Sequence, residues 1–543
     1  MKRLTSILVC SFIAMTLLAQ EVRPTKNVIV MIPDGTSVGV YSAARWYKQF
    51  NGLGDKLNID PYITGTVTTF SSNAPIGDSA PTGSTYATGV LQQSGNIAIH
   101  PEVSDNDIFD VDADRQLQPA ATILEASKIE KNKGVGLVVT CEFPHATPAD
   151  FSAHHYNRSK YEFIAPQMAY QNLDVMFGGG TSILTDDIKR HFKGNGTTLI
   201  EDDISKMLNY DGNGKVWALF GKKALPYNID RNPDVIPSLA EMATKAIEVL
   251  SKNENGFFLM IEGSQVDWAA HANDPAAIIN EFLAFDEAVG KVMEFAQKDG
   301  NTAVVIMADH GNSGFTIGKR DCGGYDRLSI DQLFGDVSKI KLSANGLESI
   351  LVATKPEDIK ATFKEYTGIE ITDDEMNSLL SSKNYHESDY MKVGTSDNMV
   401  KHINDILNSR MCFGFTTGGH TGEEVILSAY HPQGDVPRGN MKNWQVNEYL
   451  QKVSGLETSL QGFSDMIFAK HSDVFAGYNI TIDDKDPKFP VLRVKNGTNT
   501  FEVNAFSSVG KLNGKPFDIG SVVVYIDKNN TFYLPKSLRG KIQ

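Results

Sequence analysis

Six short, continuously apolar runs constrain this chain more than any other feature. They are Asn27–Ile32, Gly136–Thr140, Asp174–Phe177, Phe257–Ile261, Ala303–Ala308 and Val425–Ala429. A strand with one wet face alternates apolar and polar residues, whereas a strand covered on both faces does not. Segments of helical periodicity lie between the runs. Ser238–Leu250 is one. Ala276–Gln297 is clearer, with Ile278, Phe282, Phe285, Val289 and Val292 on one face. The pattern predicts an α/β fold with a large, mostly parallel central sheet and helices on both faces.

Two regions break this alternation. Residues 321 to about 410 are polar, with helices expected at Pro356–Tyr366 and Asp373–Ser381. They read as a partly helical insertion capping the sheet edge, for stability or to shape a pocket mouth. From about residue 469 the chain turns β-rich. Val491–Val494, Phe501–Val503 and Val522–Ile526 are strand-like, and Asn496-Gly497 and Asn513-Gly514 are hairpin-turn dipeptides. A small C-terminal β appendage is expected there.

The N-terminus reads as an export signal. Lys2 and Arg3 precede the mostly apolar stretch Leu4–Leu18, and Ala19-Gln20 suits cleavage. That stretch is short for a membrane span, and no later one is long and apolar enough. The expected organisation is residues 1–19 as signal peptide, 20–468 as the main domain carrying the insertion 321–410, and 469–543 as the appendage. The mature chain would be periplasmic or secreted. It would keep Cys141, Cys322 and Cys412, which allow at most one internal disulfide and lack Cys-x-x-Cys spacing. They read as structural residues. The net charge of −15 argues against nucleic acid or an anionic membrane surface as partner.

Ligand-type residues follow the apolar runs. Asp34 comes after the first, Glu262 after Phe257–Ile261, and Asp309-His310 after Ala303–Ala308. Open α/β sheets gather function at the carboxyl ends of their strands, so separate segments would deliver ligands to one edge. Asp267 and His271 are four apart, which places both on one helix face. His420 stands in an uncrowded Gly-Gly-His-Thr-Gly run. Ser79 precedes Pro81 by two residues and sits where a helix begins, near free N–H groups and the positive dipole end. Taken singly, Ser79 is an ordinary N-cap and His420 a surface turn. Taken together they suggest metal-assisted phosphoryl transfer.

At this point the residues resemble a known family. Asp78-Ser-Ala-Pro-Thr-Gly-Ser-Thr-Tyr-Ala-Thr-Gly-Val90 is similar to the nucleophile segment of alkaline phosphatases, with Ser79 at the nucleophile. Ile32-Pro-Asp34-Gly resembles the family's first ligand turn, and His145-Ala-Thr147-Pro-Ala its threonine-ligand segment. Arg158, eleven residues after Thr147, falls where the family places its phosphate-binding arginine. The stretch from Ile261 to Pro275, Ala308-Asp309-His310 and Gly419-His420-Thr-Gly complete the match, over about residues 26 to 468.

The resemblance implies hydrolysis of small-molecule phosphate monoesters at alkaline pH through a phosphoserine on Ser79. It implies one zinc at Asp267, His271 and His420, a second zinc at Asp34, Asp309 and His310, and a magnesium at Asp34, Thr147 and Glu262. His145 and Trp268 stand where some members carry an aspartate and a lysine. Zinc is therefore the alternative third ion if His145 reaches it, and a water-orienting role for His145 is the alternative to coordination. A phosphodiesterase of the same superfamily is the rival activity, disfavoured because a diester carries one charge fewer. A homodimer is compatible with the resemblance.

Overall fold

The structure, a computed structural model, describes residues 22–324, 326–382 and 389–542. The signal peptide expected over residues 1–19 lies outside the described residues. Ten strands form the central sheet: β1 (Asn27–Pro33), β2 (Ile63–Thr68), β3 (Gly134–Glu142), β4 (Val175–Gly179), β5 (Thr198–Glu201), β6 (Val216–Leu219), β7 (Phe257–Gly263), β8 (Thr302–Met307), β9 (Val425–Tyr430) and β10 (Gly439–Lys442). Their order is β10-β2-β9-β8-β1-β7-β3-β4-β6-β5. The stretch from β8 to β5 is parallel throughout, and β9 runs antiparallel to both β8 and β2.

All six apolar runs lie in this sheet. β1 and β7 are buried at every residue, which is why neither alternates. Successive side chains of β1 feed two layers. Ile29 and Met31 enter the core beneath one set of helices, while Val28, Val30 and Ile32 enter the core on the other face.

The longest helix, Pro275–Asp299, shows how local sequence sets these boundaries. The Asp274 side chain accepts from Ala277 N, Pro275 occupies the first turn, and Gly300 ends the helix with φ of 67°. Its face of Ile278, Phe282, Phe285, Val289 and Val292 is wholly buried. Leu239–Leu250 begins with a reciprocal Ser238–Glu241 capping box.

The insertion is more deeply built in than its polarity suggests. Its last helix, Met399–Arg410, buries Met399, Val400, Ile403 and Leu407 in the same core as the long helix. Ala344 N donates to Asp274 at 2.7 Å, tying the insertion to that helix's cap. A Cys322–Cys412 disulfide joins its two ends across 90 residues, leaving buried Cys141 as the free cysteine among the described residues. Closing so long a loop contributes about 4–5 kcal/mol on the chain-entropy account.

The C-terminal segment holds two sheets, where one appendage was expected. Five antiparallel strands span Asn479–Asp483 to Lys515–Asp518, with Asn513 and Gly514 both at positive φ in a tight turn. Val524–Ile526 instead joins Thr531–Leu534 and Ala469–Lys470 in a second sheet. Its Val524, Ile526 and Tyr533 pack into a core of the main sheet. Among the described residues, no helix is long and apolar enough to cross a membrane.

Candidate functional site

The carboxyl ends of β1, β7 and β8 lie side by side and deliver Asp34, Glu262 and Asp309-His310 to one place. Gly35 turns the chain out of β1 with φ of 58°, and a Cβ there would lie 2.2 Å from Asp267 Oδ1. Only glycine allows that approach. Gly35 N and His310 N both donate to Asp309 Oδ1 at 3.0 Å, which leaves Asp309 Oδ2 buried without a hydrogen bond.

Asp34, Asp309 and His310 form one cluster of potential ligand atoms, and Asp267, His271 and His420 form another. In the first, His310 Nδ1 donates to Gly311 O at 3.1 Å, turning Nε2 to within 3.5 Å of Asp34 Oδ1 and 3.3 Å of Asp309 Oδ2. In the second, His271 Nδ1 donates to Gly418 O at 2.8 Å and His420 Nδ1 to Gly77 O at 2.9 Å. Their Nε2 atoms then face each other at 3.1 Å, beside the Asp267 carboxylate. Two such lone pairs aimed at one point suit a shared cation, with the backbone carbonyls fixing each tautomer. His420 reaches this position because it pairs with Asn312 in a short antiparallel ladder just after His310.

Ser79 is the first residue of the helix Ser79–Thr88. The extended residue before it, Asp78, is the N-cap, so Ser79 is not a cap itself. Its Oγ lies 3.3 Å from His310 Nε2 and 3.4 Å from both Asp34 oxygens. Ser84, in the same helix, is used structurally: its Oγ donates to Asp150 at 2.6 Å and accepts from Ala98 N.

Around Glu262 a third set of atoms meets. Thr147 Oγ1, Glu262 Oε1 and His145 Nδ1 are buried without partners. Burial pushes the Glu262 carboxyl up to about 7, with Asp309 adding to it and the Ser264, Thr147 and Asp34 groups opposing. Asp34 is raised further by burial and by the Asp309, Asp267 and Glu262 carboxylates. Burial and Arg158 hold the His145 imidazole down to about 4, and burial and His310 do the same to His420. Although burial opposes its charge, nearby carboxylates instead raise His310, and carboxylates crowded and buried in this way suit a site that binds cations.

Arg158 ties the N-cap of the Ser79 helix to the insertion. Nη1 donates to Asp78 at 2.6 Å and Nη2 to Tyr390 Oη at 3.1 Å. Although burial opposes its charge, Asp78 is held well below the usual carboxylate range by Arg158, His420 and His310.

Tyr390 is the residue that sequence reasoning missed. It comes from the insertion, stacks on Trp268 at 4.7 Å, and shares its hydroxyl between Arg158 and His145 Nε2 at 3.1 Å each. A lone tyrosine in a polar stretch carries no signal of this. Trp268 Nε1 is buried without a partner.

The sequence model of the family described as alkaline phosphatase matches residues 25–456. The C-terminal sheets lie wholly beyond that match. Alkaline phosphatase 3 of Bacillus subtilis is 32% identical over 446 residues, covering 79% of this chain and 88% of its own length. The alkaline phosphatase of Escherichia coli is 32% identical over 350 residues, 54% of this chain and 71% of that protein. Among solved structures, a cold-active alkaline phosphatase from a psychrophilic Shewanella superposes with a TM-score of 0.67 at 27% identity, over 80% of this chain and all (100%) of that one.

Proposed function

The chain belongs to the alkaline phosphatase family and is a phosphomonoesterase; from that premise we propose that its reaction passes through a phosphoserine on Ser79, beside two zinc ions and a third metal. The observation that carries this reading is the Ser79 hydroxyl, buried at a helix start within 3.4 Å of Asp34 and His310. The orphaned atoms Asp309 Oδ2, Thr147 Oγ1 and Glu262 Oε1, with the facing His271 and His420 nitrogens, fit the metal set.

Zinc at Asp34, Asp309 and His310 and at Asp267, His271 and His420, with a third divalent ion at Asp34, Thr147 and Glu262, would supply the positive charge that activates the serine oxygen and stabilises the leaving oxygen. Ser79 Oγ attacks phosphorus in line and the ester oxygen departs as the alcohol. Water then attacks the phosphoserine from the vacated side, releasing phosphate and restoring the hydroxyl. Arg158 keeps Asp78 and Tyr390 and grips two non-bridging oxygens with the N–H donors of its planar fork that remain. Asp78 keeps that guanidinium aligned, and the positive helix end beneath Ser79 favours the phosphoryl charge.

Arg158→Ala is expected to weaken inhibition by inorganic phosphate about 10- to 100-fold, from the roughly 1.5–3 kcal/mol of charged hydrogen bonds lost. Metal content should stay at the wild-type value. Unchanged inhibition would show that Arg158 serves only Asp78. Tyr390→Phe keeps the stack on Trp268 and removes one hydroxyl, so phosphate inhibition should weaken about 2- to 10-fold with little loss of kcat. A fall in kcat with no change in phosphate inhibition would contradict this placing.

Export belongs to the same proposal. The Cys322–Cys412 disulfide supports it, because such bonds persist in oxidising compartments.

A further inference from the structure

The last turn of β3 brings a thiol to the Glu262 cluster. Cys141, one residue before the strand ends at Glu142, is fully buried, and its Sγ lies 3.6 Å from Glu262 Oε2. The Cys141 sulfur, a His145 ring nitrogen and a Glu262 carboxylate oxygen all lie within 4.8 Å of one another. A buried cysteine alone is an ordinary packing residue, and Cys141 does touch the hydrophobic core. The second observation concerns its neighbours. His145 Nδ1, Thr147 Oγ1 and Glu262 Oε1 are each buried with no hydrogen-bond partner. An orphaned polar atom costs about 1–3 kcal/mol, and orphans gathered around Glu262 fit a cation among them.

The donor set decides which cation. Oxygens from Asp34, Thr147 and Glu262 alone favour magnesium, which demands an octahedral oxygen shell. A thiolate and an imidazole are softer and favour zinc. We propose that Cys141 is a sulfur ligand of the third metal position and that, with His145 and Glu262, it makes this position prefer zinc to magnesium. This rests on the preceding reading only in that a third metal position exists. On binding, the Sγ–H bond breaks, the sulfur–metal bond forms and the proton passes to solvent; no oxidant or reductant takes part.

Among the described residues the other three clusters contain carboxylates and imidazoles but no sulfur, so a sulfur signal reports on this position alone. The test uses the full mature chain, stripped of metal and refilled with cobalt(II). Wild type should take up three cobalt ions and show thiolate-to-cobalt charge transfer in the near ultraviolet, with a cobalt–sulfur distance of about 2.3 Å by X-ray absorption. Cys141→Ser and Cys141→Ala should lose the band. Their third site should shift toward magnesium by about tenfold or more in zinc–magnesium competition. X-ray absorption on wild type reads the ligand even if a variant misfolds. Three cobalt ions without a sulfur signal, or a band that survives in Cys141→Ala, would overturn the proposal and leave the three-metal reading intact. Two cobalt ions without a sulfur signal would overturn both.

Discussion

Ser79→Ala should lower turnover of a chromogenic phosphate monoester by roughly four to six orders of magnitude, the scale set by removing a nucleophile from a cooperating site. The fold should hardly notice. The Ser79 hydroxyl caps nothing, because Asp78 occupies the N-cap position. Its partners Asp34 and His310 already contact each other, so stability should change by no more than about 1 kcal/mol. Metal content should also be unchanged. In wild type, an acid quench with labelled phosphate should leave the label on Ser79. The contrast is Ser84, equally buried in the same helix but committed to Asp150 and Ala98 N. Ser84→Ala should cost stability instead and never affect the labelled position. Label recovered on any other residue would sink the covalent role.

The difference between these two serines marks what was legible in the sequence. The central strands could be read because burial on both faces removes alternation, as in β1 and β7. The missed strands are short or lie towards the sheet edges. β5 and β6 have four residues each, and β10 is mostly exposed with the sequence Gly-Asn-Met-Lys. β2 contains a glycine against whose position Gly439 packs, so its apolar signature is diluted. The candidate ligand residues stood out because chemistry restricts each to a few types at the end of a strand or in a motif, and the fold brings them together in clusters. Tyr390 did not. It is one residue of a common type, and its meaning comes from Arg158, His145 and Trp268, all more than a hundred positions away. The pairing of Cys322 with Cys412 was likewise open until the fold brought the insertion's two ends together.

Removing divalent metals should have the larger structural effect, abolishing turnover and lowering the unfolding temperature by roughly 10 °C. The reason lies in the charges the fold buries. Asp34, Glu262, Asp267 and Asp309 are at most 1% exposed and are crowded together. Burial and mutual repulsion raise Asp34 and Glu262, so without cations the fold must hold protons or unscreened charge there. The His271 and His420 nitrogens would also face each other at 3.1 Å with nothing between them. An ion present at a thousandfold excess over its Kd contributes about 4 kcal/mol, so three contribute roughly 12. A chain of this length loses about 1 °C per kcal/mol, from the unfolding entropy per residue. The loss should be local. Hydrogen exchange should quicken at the carboxyl ends of β1, β7 and β8 and in the helix Gln265–His271. The five-stranded C-terminal sheet packs on its own core of Leu492, Val494, Phe501 and Val503 and should be unaffected. Zinc and magnesium together should restore activity and unfolding temperature in parallel. Full activity in the chelated protein, or an unchanged unfolding temperature, would mean that these carboxylates are stabilised by some group other than metal.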